Sequence, residues 1–128
     1  MTTPVWIPAE IVAAIHDEQI KEHGGLAGTR DENLLDSALM RPQNAFAYGE
    51  SDLCSLASLY AAGLVRNHPF ADGNKRTAFV CCELFLVTNG LLLTADDDAC
   101  IEKTVALAAG EIHEHDFAVW LRSNVEPC

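Results

Sequence analysis

The chain has 128 residues, which is enough for one domain with a single buried core. Its hydrophobic content of 49% is high, yet its longest apolar run is shorter than the ~20 residues that a membrane-spanning helix needs. Nineteen acidic against eight basic side chains give a net charge of −11, which excludes a general nucleic-acid-binding surface and suits a partner that presents basic side chains.

The first predicted helix begins at Pro8, because the first position of a helix needs no backbone donor. It ends at the glycine pair 24–25, since glycine adopts the backbone angles that close a helix. Ile11 and Ile15, together with Val12, are predicted to form its apolar face. Two histidines of this helix, His16 and His23, are assigned to solvent or to packing and receive no functional role.

The second predicted helix opens with a capping box, Thr29-x-x-Glu32. It ends at Pro42, because the residue before a proline avoids the α region. Residues 43–50 follow as a predicted loop. The two aromatic side chains of this loop, Phe46 and Tyr48, either cover the core or form a binding surface.

Two strongly apolar helices are predicted at the centre of the chain, over residues 51–67 and 74–89. The first is capped by Ser51 or Asp52 and is apolar around almost its full circumference, which indicates burial by its neighbours. The second is similar except for Glu83. A buried carboxylate needs a partner, and we expect an arginine.

The C-terminal third is predicted as a short extended link at 91–93 and two further helices. Three consecutive acids at 96–98 favour the N-terminus of the first of them over a cation site. The last helix spans about 113–123, and residues 124–128 form a tail. No alternation typical of a strand extends over a useful length. The predicted fold is therefore all-α.

The predicted architecture is one compact domain over residues 1–128, with about six helices and the two apolar helices at its centre. The five cysteines are an odd number and include no C-x-x-C pair, which favours reduced core thiols. The N-terminus lacks a basic segment followed by an apolar one, so no secretory signal is predicted. We expect a cytoplasmic protein without a membrane span.

The segment between the central helices, HPFADGNKRTA at 68–78, has an unusual composition for a connecting loop. Lys75 and Arg76 fall in the first turn of the second helix, where cations oppose the helix dipole. That turn also presents free backbone N–H groups, and Gly73 allows a ligand to approach closely. Arg66 lies just upstream. This gathering of cations in an acidic chain predicts an anion site suited to phosphate.

His68, Asp72 and Asn74 add further chemistry to this segment. A neutral imidazole can accept a proton from a hydroxyl. A carboxylate beside a phosphate site can hold Mg²⁺, which takes one or two carboxylates together with phosphate oxygens. Asn74 can cap the helix or donate to the anion. Each residue alone is also consistent with an ordinary capped helix start and solvated cations.

Residues 68–76 resemble the Fic signature, His-Pro-Phe-x-Asp/Glu-Gly-Asn-Gly-Arg, from which Lys75 departs. Lysine in place of that glycine is typical of the death-on-curing (Doc) toxin branch of the Fic/Doc superfamily, whose motif reads His-x-Phe-x-Asp-x-Asn-Lys-Arg. The glycine pair 24–25, the pair Arg30-Asp31 and the triplet 41–43 are also similar to Doc chains. The resemblance covers nearly the whole chain.

The resemblance implies the all-α Fic fold and an ATP-dependent protein kinase that acts with Mg²⁺. It implies a toxin that phosphorylates a Ser or Thr of a translation elongation factor, such as elongation factor Tu, and so arrests growth. His68 is then the general base, and Asp72 holds Mg²⁺ and helps to align His68. Lys75 and Arg76 complete the catalytic set. The anion-binding residues are expected to be Arg66, Gly73, Asn74, Lys75 and Arg76.

Two other functions remain open. Pro69 and Gly73 follow the Fic version of the motif, which favours an AMP transferase. The third hypothesis is a phosphate- or nucleotide-binding module without turnover. In Fic proteins the region that matches residues 43–50 forms a flap over the active site, so the resemblance implies the same position here.

We expect the activity of this chain to be inhibited by another protein. Many Fic enzymes carry an inhibitory helix with the pattern Ser/Thr-x-x-x-Glu-Gly/Asn, and that pattern does not occur in these 128 residues. We therefore expect an antitoxin whose disordered C-terminal segment folds on binding near the motif loop.

Overall fold

The computed structural model of the chain describes residues 2–128. The elements in chain order are α1 (Ala9–His23), α2 (Glu32–Ala47), α3 (Leu53–Asn67), α4 (Asn74–Thr88), β1 (Leu91–Leu93), α5 (Asp97–Ala109), α6 (Glu114–Arg122) and β2 (Val125–Pro127). The predicted all-α fold of six helices is confirmed. Within residues 2–128, no helix combines the length and the apolar character that crossing a lipid bilayer requires.

Helix α3 lies at the centre of the core, as its apolar circumference predicts. Ten of its 15 residues are buried, and α2, α4 and α6 pack around it. Asp52 caps its N-terminus by accepting a hydrogen bond from the Ser55 N–H at 2.9 Å. Helix α2 approaches α3 closely at Gly63, where an added Cβ would lie 3.2 Å from the backbone of Ala38. The burial of α3 therefore fixes where its C-terminal end, and the loop that follows, must lie.

Both predicted ends of α2 are wrong. The cap is Asp31, whose Oδ1 accepts from the Leu34 N–H at 3.0 Å, whereas Thr29 forms an isolated bridge with Phe70. Pro42 lies inside the helix and is buried. A proline in a helix costs one backbone hydrogen bond. The buried stripe that α2 presents to α3 offsets that cost, and the helix continues to Ala47.

The predicted 43–50 loop is consequently wrong over its first five residues, which belong to α2. Of its two aromatic side chains, Phe46 packs edge-on against Trp6, with ring centroids 5.7 Å apart. Tyr48 is 94% exposed. One aromatic thus covers the core and the other faces solvent, so neither alternative holds for both.

The C-terminal third contains a small sheet that the sequence did not predict. The expected link and tail pair as antiparallel strands β1 and β2, with Leu92 opposite Glu126. Three-residue strands are too short to show a recognisable alternation. Asp96 caps α5 by accepting from the Ala99 N–H at 2.8 Å, which confirms that the acids at 96–98 begin a helix.

The predicted arginine partner for Glu83 is wrong. Glu83 lies on the exposed side of α4, and no salt bridge involves it in the described residues. Partial desolvation, and then the neighbouring Asp97 carboxylate, raise the pKa of Glu83. The four cysteines of the core are buried free thiols, as predicted, and burial raises the pKa of Cys81 to about 12.

Candidate active site

The loop that joins α3 to α4, residues 68–73, forms the centre of the candidate site. His68 ends α3 in the left-handed conformation, with φ 51° and ψ 55°. It is the one non-glycine residue with positive φ in the described chain. Such a backbone costs about 1–3 kcal/mol and persists only where the surroundings enforce it. Phe70 is buried beneath the loop, and His68 itself is exposed.

The side chain of Asn74 holds this loop closed. Its Oδ1 accepts from the Phe70 N–H at 3.1 Å, and its Nδ2 donates to the Phe70 carbonyl at 3.0 Å. The same Nδ2 lies 3.2 Å from His68 Nδ1. Asn74 is only 3% exposed, so its amide faces the protein. The expectation that this amide donates to a bound anion is therefore wrong, and only its backbone N–H lies in the free first turn of α4.

Asp72 is exposed, and its carboxylate accepts two backbone hydrogen bonds. Oδ1 bonds to the Gly73 N–H at 2.8 Å and Oδ2 to the Leu26 N–H at 3.3 Å. These bonds, first that from Gly73, lower the pKa of Asp72. The carboxylate does not contact His68, because its bonds go to the backbone; Asn74 contacts His68 instead. Each oxygen keeps a lone pair that could bind Mg²⁺.

The two cations of the motif lie at the N-terminus of α4. That helix begins after Gly73 without a side-chain cap, whereas α2, α3 and α5 are each capped by an aspartate. Lys75 is exposed, and Arg76 donates from Nη2 to the Gly24 carbonyl at 3.2 Å. Arg76 Nε is buried and has no hydrogen-bond partner within residues 2–128. An uncapped helix end beside two cations is suited to an anion.

These groups surround one open cleft of about 270 Å³. Its lining consists of His68, Ala71, Asp72, Gly73, Asn74, Lys75 and Arg76. The structure thus brings together every residue that the sequence predicts for the site except Arg66. Charged side chains line the cleft, which is open to solvent, and both features suit a charged, solvated substrate.

Arg66 does not join this cleft. Its Nη1 lies 2.8 Å from Glu114 Oε2, and Arg41 binds the other oxygen of the same carboxylate at 3.3 Å. Arg66 lines a neighbouring groove together with His68 and Lys75. The expectation that it supplies a third cation to the anion site is corrected, because its charge is paired with α6.

His16 is a site residue that sequence reasoning missed. It is 1% exposed, its Nε2 lies 2.7 Å from the Asp72 carbonyl, and its ring stacks on Phe70 at 3.9 Å. A carbonyl can only accept, so Nε2 carries a proton and donates. The sequence contains one indication of this burial. His16 follows Val12 by four residues, which places both side chains on one face of the helix, and both are buried.

The segment 24–31, between α1 and α2, lies along the motif loop. The N–H groups of Arg30 and Asp31 donate to the Pro69 carbonyl at 2.7 and 3.0 Å, and the Ala71 N–H donates to the Gly28 carbonyl at 3.2 Å. Gly25 has φ 119°, and a Cβ there would lie 2.6 Å from Asp72 Oδ2. The resemblance implies that residues 43–50 lie over the site as a flap. In the structure, the segment beside the motif loop is 24–31 instead.

A second groove of about 320 Å³ adjoins the cleft on the far side of Lys75 and Arg76. Its apolar wall is formed by Phe79, Val80, Ile101 and Val105, from α4 and α5. Ile101 and Val105 are 59% and 47% exposed. We call it the α4–α5 groove. Lys75 and Arg76 line it together with the carboxylates of Glu83 and Asp97, so its apolar wall and charged rim suit an amphipathic group.

Comparisons with known proteins agree with this arrangement. The model of the Fic/DOC family matches residues 6–86. The chain is 37% identical over 116 residues to the protein named Protein kinase doc of Escherichia phage P1, and the match covers 90% of each chain. It is 45% identical over 78 residues to Toxin Doc of Mycolicibacterium smegmatis, with 59% of each chain covered.

Replacing His16 tests its contact with the motif loop. In His16→Leu, the Asp72 carbonyl loses its donor and Phe70 loses the stacked ring, so we expect the free energy of unfolding to fall by about 1–3 kcal/mol. Urea denaturation measures the change. His23→Leu, on the exposed last turn of the same helix, is the control and should alter stability by less than about 0.5 kcal/mol. Equal stability of the two variants would contradict the assignment.

Proposed function

The chain belongs to the Fic/DOC family, in its Doc branch, and on this premise we propose that it is a Doc-type toxin that transfers the γ-phosphate of ATP to a Ser or Thr hydroxyl of a target protein. The main support for the proposal is the identity and position of Lys75. It stands at the motif position that distinguishes Doc chains, lines the cleft beside Arg76, and forms no salt bridge within residues 2–128. Its ammonium group is therefore available to a phosphate.

The residues of the cleft fit a phosphate group with its metal. The uncapped N–H groups of α4 and the unpartnered Nε of Arg76 are donors without acceptors in the described structure. Asp72 keeps free lone pairs and, because its pKa is lowered, is ionised at neutral pH. It would be the single protein carboxylate for Mg²⁺, an arrangement that Mg²⁺ bound to phosphates commonly has. Bound Mg²⁺ would neutralise charge on the phosphate oxygens.

His68 is assigned as the general base. The oxygen of the target hydroxyl forms a bond to the γ-phosphorus, the bond between that phosphorus and the bridging oxygen breaks, and ADP leaves with its electron pair. The hydroxyl proton passes to His68 Nε2. Asn74 Nδ2 can only donate, so its contact with Nδ1 is a hydrogen bond in the tautomer that is protonated at Nε2. Acceptance at Nε2 requires the ring proton to move to Nδ1, and the hydrogen bond to Asn74 is then lost.

Lys75 and Arg76 act on the transferred group. Phosphoryl transfer proceeds through a loose transition state, so positioning and charge stabilisation supply most of the catalysis. Arg76 is oriented by its hydrogen bond to the Gly24 carbonyl, whereas Lys75 is exposed and reaches into the cleft. Lysine at this position adds bulk where glycine would let a nucleotide pass, which favours delivery of the γ-phosphoryl over the α-phosphoryl to the hydroxyl.

The target is proposed to be a translation elongation factor, such as elongation factor Tu, whose phosphorylation would arrest growth in the cytoplasm. This identity comes from the Doc resemblance. The net charge of −11 is consistent with a target that presents basic side chains.

An antitoxin is the proposed partner. A disordered C-terminal segment of that protein would fold into a helix on binding and lay its apolar face in the α4–α5 groove. The exposed side chains of Ile101 and Val105 supply apolar contact, and Lys75 at the end of the groove supplies a cation for an acidic side chain. A helix in that position would contact Lys75 and Arg76, the two cations that the groove shares with the cleft.

Labelled ATP tests the proposed reaction. Purified protein is incubated with elongation factor Tu and ATP that carries the label on either the α- or the γ-phosphate. Transfer of γ label alone is expected, and His68→Ala should reduce it by about 10²–10⁴-fold without changing the fold, because the proton acceptor is lost. Transfer of α label would support the AMP transferase instead. Absence of any transfer would favour a binding module.

Lys75→Gly tests whether Lys75 favours transfer of the γ-phosphate over transfer of AMP. Loss of the cation should lower γ-phosphate transfer by about 10²-fold, and some AMP transfer should appear if the smaller residue opens the nucleotide path. Lys21→Gly is the control, since it carries the same loss of helix propensity at an exposed position of α1. A Lys75→Gly protein that phosphorylates at the wild-type rate would remove the main support for a kinase.

Growth of a bacterial host tests whether the chain is toxic and whether an antitoxin neutralises it through the α4–α5 groove. Induced wild-type chain alone should arrest growth, whereas His68→Ala should not. Ile101→Asp, in the α4–α5 groove and outside the cleft, should remain toxic and escape neutralisation by a co-expressed cognate antitoxin, because a buried carboxylate would oppose docking. Unimpaired growth with the wild-type chain alone would argue against a toxin. Full neutralisation of the Ile101→Asp variant would exclude this groove.

A further inference from the structure

We propose that Arg30 is a positioning residue for His68 and acts through the backbone at the end of α3; the inference rests on the proposed function, in which His68 accepts the hydroxyl proton. Arg30 Nε donates to the His68 carbonyl at 2.9 Å, and Nη2 donates to the Asn67 carbonyl at 3.1 Å. One guanidinium thus holds two successive carbonyls. One of them is the carbonyl of His68, the proposed catalytic residue.

The end of α3 requires such a partner. The last carbonyls of a helix have no intrahelical donor, and the dipole there favours a cation. The left-handed backbone of His68, with φ 51°, is strained and persists only where its surroundings enforce it. The planar guanidinium presents its donors in a fixed fork and can span both carbonyls, which a lysine ammonium at one point cannot do equally well.

Arg30 completes a set of three contacts around His68. The His68 N–H donates to the Leu64 carbonyl at 3.3 Å, which places the residue at the end of its helix. Asn74 Nδ2 contacts the ring. Arg30 fixes the remaining group, the peptide plane between His68 and Pro69. Without it, that plane can rotate, and the ring moves with it.

Substitution of Arg30 should leave the surrounding structure in place. The backbone N–H groups of Arg30 and Asp31 donate to the Pro69 carbonyl whatever the side chain at position 30, so the 24–31 segment keeps its pairing with the loop. Arg30 is also exposed and is in no salt bridge of the described residues. A small cation added to the solution can therefore reach the position that the side chain leaves.

The experiment compares Arg30→Ala with Arg122→Ala in the full chain. Arg122 binds Asp52 at the opposite end of the same helix, with Nη2 2.7 Å from Oδ2, and is thus a matched control for loss of a helix-end arginine. Three quantities are measured: the melting temperature, the NMR signal of the His68 ring, assigned by its absence in His68→Ala, and kcat and KM for γ-phosphate transfer to elongation factor Tu.

In Arg30→Ala we expect a shifted His68 signal and a kcat lowered by about 10–100-fold, with KM for ATP changed by less than about twofold. Methylguanidinium should move both quantities back toward wild type, whereas methylammonium at the same concentration should do so less. Arg30→Lys should give an intermediate kcat. Arg122→Ala should lower the melting temperature without a change in the His68 signal.

Two results would overturn the proposal. One is an Arg30→Ala protein with the wild-type His68 signal. The other is an Arg30→Ala protein that loses activity only in proportion to its melting temperature and does not respond to methylguanidinium, which would show a merely structural role. The NMR arm does not depend on catalysis. If the wild-type chain transfers no phosphate, the proposed function fails, and the His68 signal still tests the role of Arg30.

Discussion

The buried amide of Asn74 makes three contacts with the motif loop, and the geometry of the cleft depends on them. It bonds both backbone groups of Phe70 and touches the His68 ring. An unpaired buried amide would cost about 1–3 kcal/mol, so the loop has no comparable alternative in which this side chain stays buried. The Asn74 side chain thereby holds the loop between His68 and the N-terminus of α4 closed. Donors that are oriented in advance need no reorganisation during the reaction.

The distribution of charge complements this fixed geometry. Most arginines serve the protein itself: Arg41 and Arg66 share Glu114, Arg122 binds Asp52, and Arg30 binds carbonyls. The chain as a whole is strongly acidic. A polyanionic nucleotide is thus repelled by most of the surface and attracted at the start of α4. Because screening at physiological salt limits such effects to about 8 Å, binding depends on local groups such as Lys75.

Local patterns predicted much of the molecule, and the failures share one cause. Helix periodicity gave the six helices, and the composition of residues 68–76 gave all but one of the residues that line the cleft. Pro42 misled the prediction because burial against α3 outweighs the local preference of proline. His16 and Arg30 contact residues 56 and 38 positions away, and no local pattern encodes such pairings. Arg66 was assigned to the site from its place in the sequence, although Glu114 on a distant helix takes its charge.

Val5 and Cys128 both contact the segment that follows α4. Val5 exchanges two hydrogen bonds with the Asn89 side chain, at 2.8 and 3.1 Å, and the Cys128 N–H donates to the Gly90 carbonyl at 3.1 Å. Residues 89 and 90 follow the C-terminus of α4, whereas the cleft lies at its N-terminus. Fifteen helical residues at 1.5 Å each separate the two by about 22 Å. A fluorescent label attached beside Val5 or at the Cys128 thiol would accordingly leave the cleft facing the solution.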